Sequence, residues 1–290
     1  MRNIETNGVI LSVDDRGDGY PVVLIHGFPE TSFSWRTQVP ALSDAGFRPI
    51  SHDLRGSGGS GCPEAVEAYS LANQIADAIG ILDRLGIERA AFVGHDWGSI
   101  IIYATALRHP DRVSHVASLN VPYLGSPAGF PPTELIRRKF VDRLGYVLGF
   151  QEPGETEARF DSDPDSWLRR IYSGLAWNDG FMSESEFSHH RDSFVASGLT
   201  GQLNLYRNID RNFDEMSDLA GAKVAQPCLM ITADRDPVLP ASLADGMAAF
   251  SDDLEVAHLT DCGHWSQQEC PEAVNSILLD WLDRRIGQCS

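Results

Sequence analysis

With 290 residues, 42% of them hydrophobic, the chain is long enough to bury one sizeable core plus an insertion and short for two independent domains. Asp and Glu number 41 against 23 Lys and Arg, and Lys139 and Lys223 are the only lysines, leaving a formal charge of −18. So acidic a surface repels phosphate backbones and anionic lipid, which excludes the usual nucleic-acid and membrane-surface partners. No run of about 18 apolar residues occurs, and acids interrupt the first twenty residues where a secretory leader needs an apolar stretch. A cytoplasmic protein, monomer or homodimer, working on a small molecule is expected. The cysteines (Cys62, Cys228, Cys262, Cys270, Cys289) are odd in number and widely spread, which fits reduced thiols. Without paired ligands at short spacing, no metal or organic cofactor is expected.

In chain order, "PVVLIHG" (Pro21 to Gly27) reads as a buried strand and "FRPISHD" (Phe47 to Asp53) as another. Leu71, Ile75, Ile79, Leu82 and Leu85 then recur at steps of four and three along one helix face that Gly86 ends. "RAAFVGH" (Arg89 to His95) is the third strand, "GSIIIYATALRHP" a helix stopping before Pro110, and "RVSHVASLN" (Arg112 to Asn120) a fourth strand. From about Gly125 the texture changes to arginine, acids and scattered aromatics, without a buried strand until "PCLMITADRD" from Pro227. "LEVAHLT" (Leu254 to Thr260) and a helix from Pro271 restore the alternation. This pattern predicts a mostly parallel central sheet with helices on both faces, residues 1–124 and 222–290, interrupted by a helical cap over 125–221.

Gly94-His95-Asp96-Trp97-Gly98 lies where strand meets helix and has the spacing of the G-x-S-x-G elbow, with aspartate in the serine position. A nucleophile there needs a base, an orienting acid and amides aimed at developing negative charge. His264, in "DCGHWSQQECP", is on the loop between the last strand and the last helix, where the base belongs. "ITADRDPVLP" offers Asp234 and Asp236 as the acid; Asp236 sits further onto the exposed loop and is preferred. The strand ending at Asn120 carries no carboxylate at its tip. Phe28, following His26-Gly27, and Trp97 are expected to supply the oxyanion amides. The other histidines read as packing or surface residues.

A carboxylate suits displacement at saturated carbon: attack on an ester would give only an anhydride, whereas attack on an alkyl carbon gives an ester of Asp96. Water activated by His264 can then attack the Asp96 carboxyl carbon. Two leaving groups fit. A strained epoxide leaves an alkoxide that needs a proton donor, and an alkyl halide leaves a halide that needs only N–H donors.

"HGFPE", "DLRGSG" (Asp53 to Gly58), "GHDWG", "GFQEPGE" (Gly149 to Glu155), "LYRNIDRN" (Leu205 to Asn212), "ADRDPV" and "CGHWSQ" together resemble the α/β-hydrolase-fold epoxide hydrolases, of the soluble type, over essentially the full length. The resemblance implies hydrolysis of an apolar epoxide by water to a vicinal diol, with Tyr146 and Tyr206 as cap tyrosines that bind the epoxide oxygen and donate a proton. A phenol, with pKa about 10, stays protonated at neutral pH. Tyr172 and Tyr123 are less suited substitutes. Gly149 departs from the family, which often carries another aromatic there. Phe28, Trp97, Phe150 and Trp265 are candidates for the pocket wall, Trp265 equally for packing. Two other readings remain. A haloalkane dehalogenase could recruit Trp167 or Trp177 as a second halide donor, while Trp97 speaks against the fluoroacetate type, which has arginine there. A noncatalytic binding protein would keep the same constellation for structural reasons.

Overall fold

The computed structural model describes residues 1–125, 129–178 and 180–287. Cys289 lies outside them, as do 126–128 at the expected start of the insertion. The strands are β1 Arg2–Thr6, β2 Val9–Asp15, β3 Tyr20–Ile25, β4 Phe47–His52, β5 Ala90–His95, β6 Val113–Leu119, β7 Cys228–Ala233 and β8 Leu254–Leu259, in one sheet ordered β1-β2-β4-β3-β5-β6-β7-β8. Pairing is parallel from β4 to β8 and antiparallel for β1 with β2 and β2 with β4. β3 to β8 therefore follow the expected alternation. The leading hairpin β1-β2 was not expected from the sequence; its signal is Asn7-Gly8, both at positive φ (46° and 72°), the dipeptide that closes a two-residue hairpin.

Side-chain alternation divides the core. Val23, Ile25 and Phe92 point to one face, while Val22, Leu24, Ala91 and Val93 point to the other. On the first face pack α2 (Leu71–Leu85) and α3 (Trp97–Arg108), through Ile75, Ile79, Leu82, Ile101 and Ile102; on the second, α1 (Gln38–Asp44) and α12 (Pro271–Ile286), through Val39, Leu42, Val274, Leu278 and Trp281. Each such side chain, fully buried, contributes roughly 1.5–3 kcal/mol of transfer free energy. Gly86, at φ 67°, ends α2 in the left-handed conformation.

Between β6 and β7 the described chain is helical: α4 (Pro132–Leu135), a π-helical turn at Ile136–Phe140, α5 (Val141–Gly149), α6 (Glu155–Ser162), α7 (Pro164–Leu175), α8 (Glu184–Ser197), α9 (Thr200–Arg207) and α10 (Ile209–Glu215). The short α11 (Ser266–Glu269) precedes α12. α9 touches the core backbone to backbone: a Cβ on Gly201 would sit 2.5 Å from the Gly56 Cα, and Gly56 itself has φ 81°. Gln202 donates to the Glu30 carbonyl at 2.7 Å, Asn208 to Val66 at 2.6 Å, and Asn212 of α10 accepts from the Leu71 amide at 2.7 Å. Beneath that contact, Arg55 and Asp77, both buried, pair at 2.5 Å.

Candidate active site

Asp96 joins β5 to α3 with φ 52° and ψ −119°, a conformation L-residues rarely adopt. The flanking glycines make the turn possible: a Cβ on Gly98 would stand 1.9 Å from the Ile25 carbonyl oxygen, and one on Gly94 would stand 2.5 Å from the Gly98 backbone. The strand thus runs under its own helix with no room for side chains, lifting the Asp96 carboxylate above the carboxyl edge of the sheet. Its Oδ1 accepts the Phe28 amide at 2.9 Å. Trp97 opens α3, so its N–H is among those a helix leaves without an internal partner.

His264 Nε2 stands 3.8 Å from Asp96 Oδ2, beyond direct hydrogen bonding, while its Nδ1 is 2.8 Å from Asp236 Oδ2. Asp236 is 6% exposed and saturated with donors: the Val238 and Leu239 amides at 2.8 and 2.9 Å, and Asn120 Nδ2 at 2.9 Å. Asn120 therefore stands at the β6 tip as a donor to the acid on the β7 loop. Asp234, the other candidate, accepts the Cys262 amide at 3.3 Å and pairs with Arg235. Burial opposes charge on His264, but the charge and hydrogen bond of Asp236, then the Asp96 carboxylate, outweigh it and hold the imidazole pKa up at about 9. Asp236 is moved the opposite way: burial raises its pKa, yet His264 and the two amides bring it below the usual carboxylate value.

A second buried network, not foreseen in the sequence, holds the histidine from behind. His264 donates its amide to the Leu175 carbonyl at 3.0 Å, and its own carbonyl oxygen is 2.8 Å from His95 Nε2. His95 Nδ1 lies 2.9 Å from Glu30 Oε2, and Glu30, fully buried, also accepts from Gln267 and Gln268 at 2.9 and 2.7 Å. Burial disfavours the Glu30 charge, but His95 beside it holds the pKa down at about 2. The only sequence signal was position: Glu30 closes "HGFPE" and His95 precedes Asp96.

Above Asp96 lies a cavity of about 560 Å³ with an almost wholly apolar wall, to which Phe28, Trp97, Phe150, Tyr146 and Tyr206 contribute with His264. The Tyr206 ring packs edge-on to Trp97, Phe28 and Phe150 at 5.1 to 5.2 Å and lies 6.3 Å from the Tyr146 ring. Burial and then the Asp96 charge push both phenols well above their ordinary pKa, so both hydroxyls stay protonated. Tyr146 lines the cavity and is 41% exposed as a residue, whereas Tyr206 is buried. Trp265 does not reach this wall: it is fully buried and its indole N–H donates to the Tyr172 carbonyl at 3.0 Å, so of its two expected roles it takes packing. Tyr172 spends its hydroxyl on the Pro29 carbonyl and Tyr123 on that of Ala222. Trp167 packs on Phe28 and Phe160, and Trp177 is 51% exposed beneath Arg235; neither lines the cavity. No group of three or more His, Cys, Asp or Glu side chains is arranged to hold a metal among the described residues, and their four cysteines are free thiols. No described helix is long and apolar enough to cross a membrane.

An eight-stranded, mostly parallel sheet with a nucleophile-type elbow at its carboxyl edge defines an α/β hydrolase, and the family model for the alpha/beta hydrolase fold matches residues 20–271. The chain is 41% identical to Epoxide hydrolase A of Mycobacterium tuberculosis, covering 97% of this chain and 96% of that one. It is 36% identical to the pig Bifunctional epoxide hydrolase 2, of which it spans about half (54%). Among solved structures, Epoxide Hydrolase A from Mycobacterium thermoresistibile superimposes with a TM-score of 0.92 at 38% identity over 97% of both chains. An epoxide hydrolase from an endophytic Streptomyces superimposes with 0.91 at 36% identity, over 97% of this chain and 94% of that one. The chain belongs to the α/β-hydrolase-fold epoxide hydrolases.

Proposed function

We propose that the protein opens an apolar epoxide through a covalent ester on Asp96 and releases a vicinal diol, with residues 125–221 acting as the cap that closes the site. What carries this reading is the opposition across one apolar cavity of a carboxylate on a strained elbow and two protonated phenols. The Asp96 carboxylate attacks a ring carbon, the carbon–oxygen bond breaks, and the oxygen takes its proton from Tyr146 or Tyr206. Each phenol is worth more here than in water because the wall is apolar.

The same step switches the histidine. While Asp96 is charged, His264 holds its proton, with a pKa of about 9. Esterification removes the Asp96 charge, the imidazole pKa falls, and the released proton restores the phenol. His264, oriented by Asp236, then takes a proton from a water held beside Nε2 and the Asp96 carboxyl carbon, Nε2 being 3.8 Å from Asp96 Oδ2 and so not spent on a direct hydrogen bond to it. The water oxygen attacks the Asp96 carboxyl carbon; the resulting oxyanion accepts the Phe28 and Trp97 amides and collapses, expelling the diol's alkoxide, which takes the remaining water proton, and regenerating the Asp96 carboxylate beside a protonated His264. Neither Trp167 nor Trp177, either of which could have been the second halide donor beside Trp97, lines the cavity, so nothing favours the dehalogenase reading over this one.

A single turnover of excess enzyme with styrene oxide in oxygen-18 water tests the scheme. The expected result is label in the Asp96 peptide and an unlabelled first-turnover diol. Label in the diol with none in Asp96 means direct attack by water and overturns the ester. Halide release from bromoalkanes without diol from any epoxide favours the dehalogenase. Ligand binding without either activity favours a binding protein.

A further inference from the structure

The charge of −18 is not evenly spread. Arg137, Arg138, Lys139 and Arg143 fall within one stretch, 137–143, whose single acid is Asp142. The stretch runs from the π-helical turn into the start of α5, and each of its residues is exposed, whereas a helix lying on a protein body buries one face at every turn. It therefore projects, held by buried Ile136 before it and buried Val147 after it. Phe140 and Val141, in its middle, are 39% and 51% exposed, and Phe130, also exposed, has the Arg138 guanidinium 4.4 Å from its ring centroid. Glu134 pairs with Arg138 at 2.5 Å and reaches Arg137 at 4.0 Å. Among the described residues Lys139 and Arg143 have neither an ion pair nor a hydrogen bond. Ile136, Leu144 and Tyr146, on the same segment, line the cavity.

We propose that this projection docks the cap on an anionic lipid surface. Exposed apolar residues scattered singly are ordinary. Two in succession among unpaired cations on a projecting turn match what a bilayer interface takes: Phe140 and Val141 enter the acyl boundary while Lys139 and Arg143 reach headgroup phosphates with their long stems. A convex apolar turn also fits a deformable lipid surface without needing a complementary groove. The net charge describes the whole surface and not this one, since repulsion from acids more than about 8–10 Å away is largely screened at physiological ionic strength. The charges nearest the lipid then decide, and here they are cations. The docking has a use that rests on the epoxide hydrolase reading, because it sets the cavity wall beside the phase in which an apolar epoxide dissolves.

The test is co-sedimentation at low salt with vesicles of phosphatidylcholine containing about one-third phosphatidylglycerol, and with vesicles of phosphatidylcholine alone. Wild type is expected to bind the anionic vesicles and to bind the neutral ones less. Lys139→Gln with Arg143→Gln should weaken partitioning into anionic vesicles about thirtyfold, each cation near such a surface being worth about fivefold. Phe140→Ser with Val141→Ser should weaken it about tenfold. None of these side chains lines the cavity, so both double variants should hydrolyse dissolved styrene oxide at the wild-type rate, and hexadecene oxide held in anionic vesicles more slowly. No vesicle binding by wild type, or equal binding by wild type and both double variants, overturns the proposal. Binding to a single-stranded oligonucleotide as tight as binding to anionic vesicles would make the stretch a general polyanion site and overturns the assignment to lipid. If wild type binds vesicles as expected and hydrolyses neither epoxide, the docking stands and the functional reading fails.

Discussion

The two helices that carry the cap tyrosines are held in different ways. α9, with Tyr206, presses its Gly201 backbone onto Gly56, is tied to the core by Gln202, and has Gly201 to Tyr206 all buried. Tyr206 itself is 5% exposed. α5, with Tyr146, buries only Val147 within its span, and Tyr146 is 41% exposed. One hydroxyl is therefore fixed by the core as firmly as a core residue, and the other is presented by a helix with few anchors. A preorganised donor stabilises a developing alkoxide without being reoriented during the reaction, so the two phenols should not be equal partners.

The largest expected effect comes from removing both. Tyr146→Phe with Tyr206→Phe should lower the rate of ester formation by about 10⁴-fold while thermal unfolding stays within a few degrees of wild type. Singly, Tyr206→Phe should cost on the order of a hundredfold or more, and Tyr146→Phe about tenfold. Rapid-quench measurement of the Asp96 ester reads this directly. Equal single effects would mean that Tyr146 is as well positioned as Tyr206, and the asymmetry would be wrong.

The next effect tests the anchor. In Gly201→Ala the new methyl would meet the Gly56 Cα at 2.5 Å, contact that only backbone displacement relieves. Overpacking of this kind costs about 1–3 kcal/mol, and the displacement should carry Tyr206 away from Trp97. Activity is expected to fall toward that of Tyr206→Phe, and adding Gly201→Ala to Tyr206→Phe should lower ester formation little further. Wild-type ester formation in Gly201→Ala would show that the Gly56 contact does not set the Tyr206 position.

This contact also marks the limit of what the sequence disclosed. β3 to β8, α2, α3 and α12 were legible because each buries a periodic apolar face against one sheet, and the elbow, His264 and Asp236 were legible because their order along the chain follows from that sheet. What escaped depends on pairs distant in sequence. Gly56 and Gly201 are unremarkable separately, and Glu30 gains its place only when Gln267, Gln268 and His95 converge on it. Trp265 shows the same limit from the other side: its neighbour His264 faces the cavity, but a preceding turn and the Tyr172 carbonyl direct the indole into the core. The β1-β2 hairpin differs, since both Asn7-Gly8 and the alternation of Val9, Leu11 and Val13 after it were there to be read.

The smallest effect contrasts the core's charges with the cap's neutral phenols. His264 has a folded pKa of about 9 against an unfolded value of about 6.5, so the native state keeps a proton that the unfolded chain has already released between those pH values. Its contribution to stability is fully present below about pH 6.5 and is lost as pH rises through about 9. Asp236 contributes in the opposite sense: its lowered pKa stabilises above the ordinary carboxylate value and is lost as pH falls through the folded one. The difference in melting temperature between wild type and His264→Gln should therefore be greatest for wild type near pH 6 and shrink toward pH 9.5. The difference between wild type and Tyr146→Phe should stay flat over that range, because the phenol is neutral throughout. A wild-type advantage over His264→Gln that does not change with pH would mean that His264 folds without its proton, and the switch driven by esterification of Asp96 would lose its starting state.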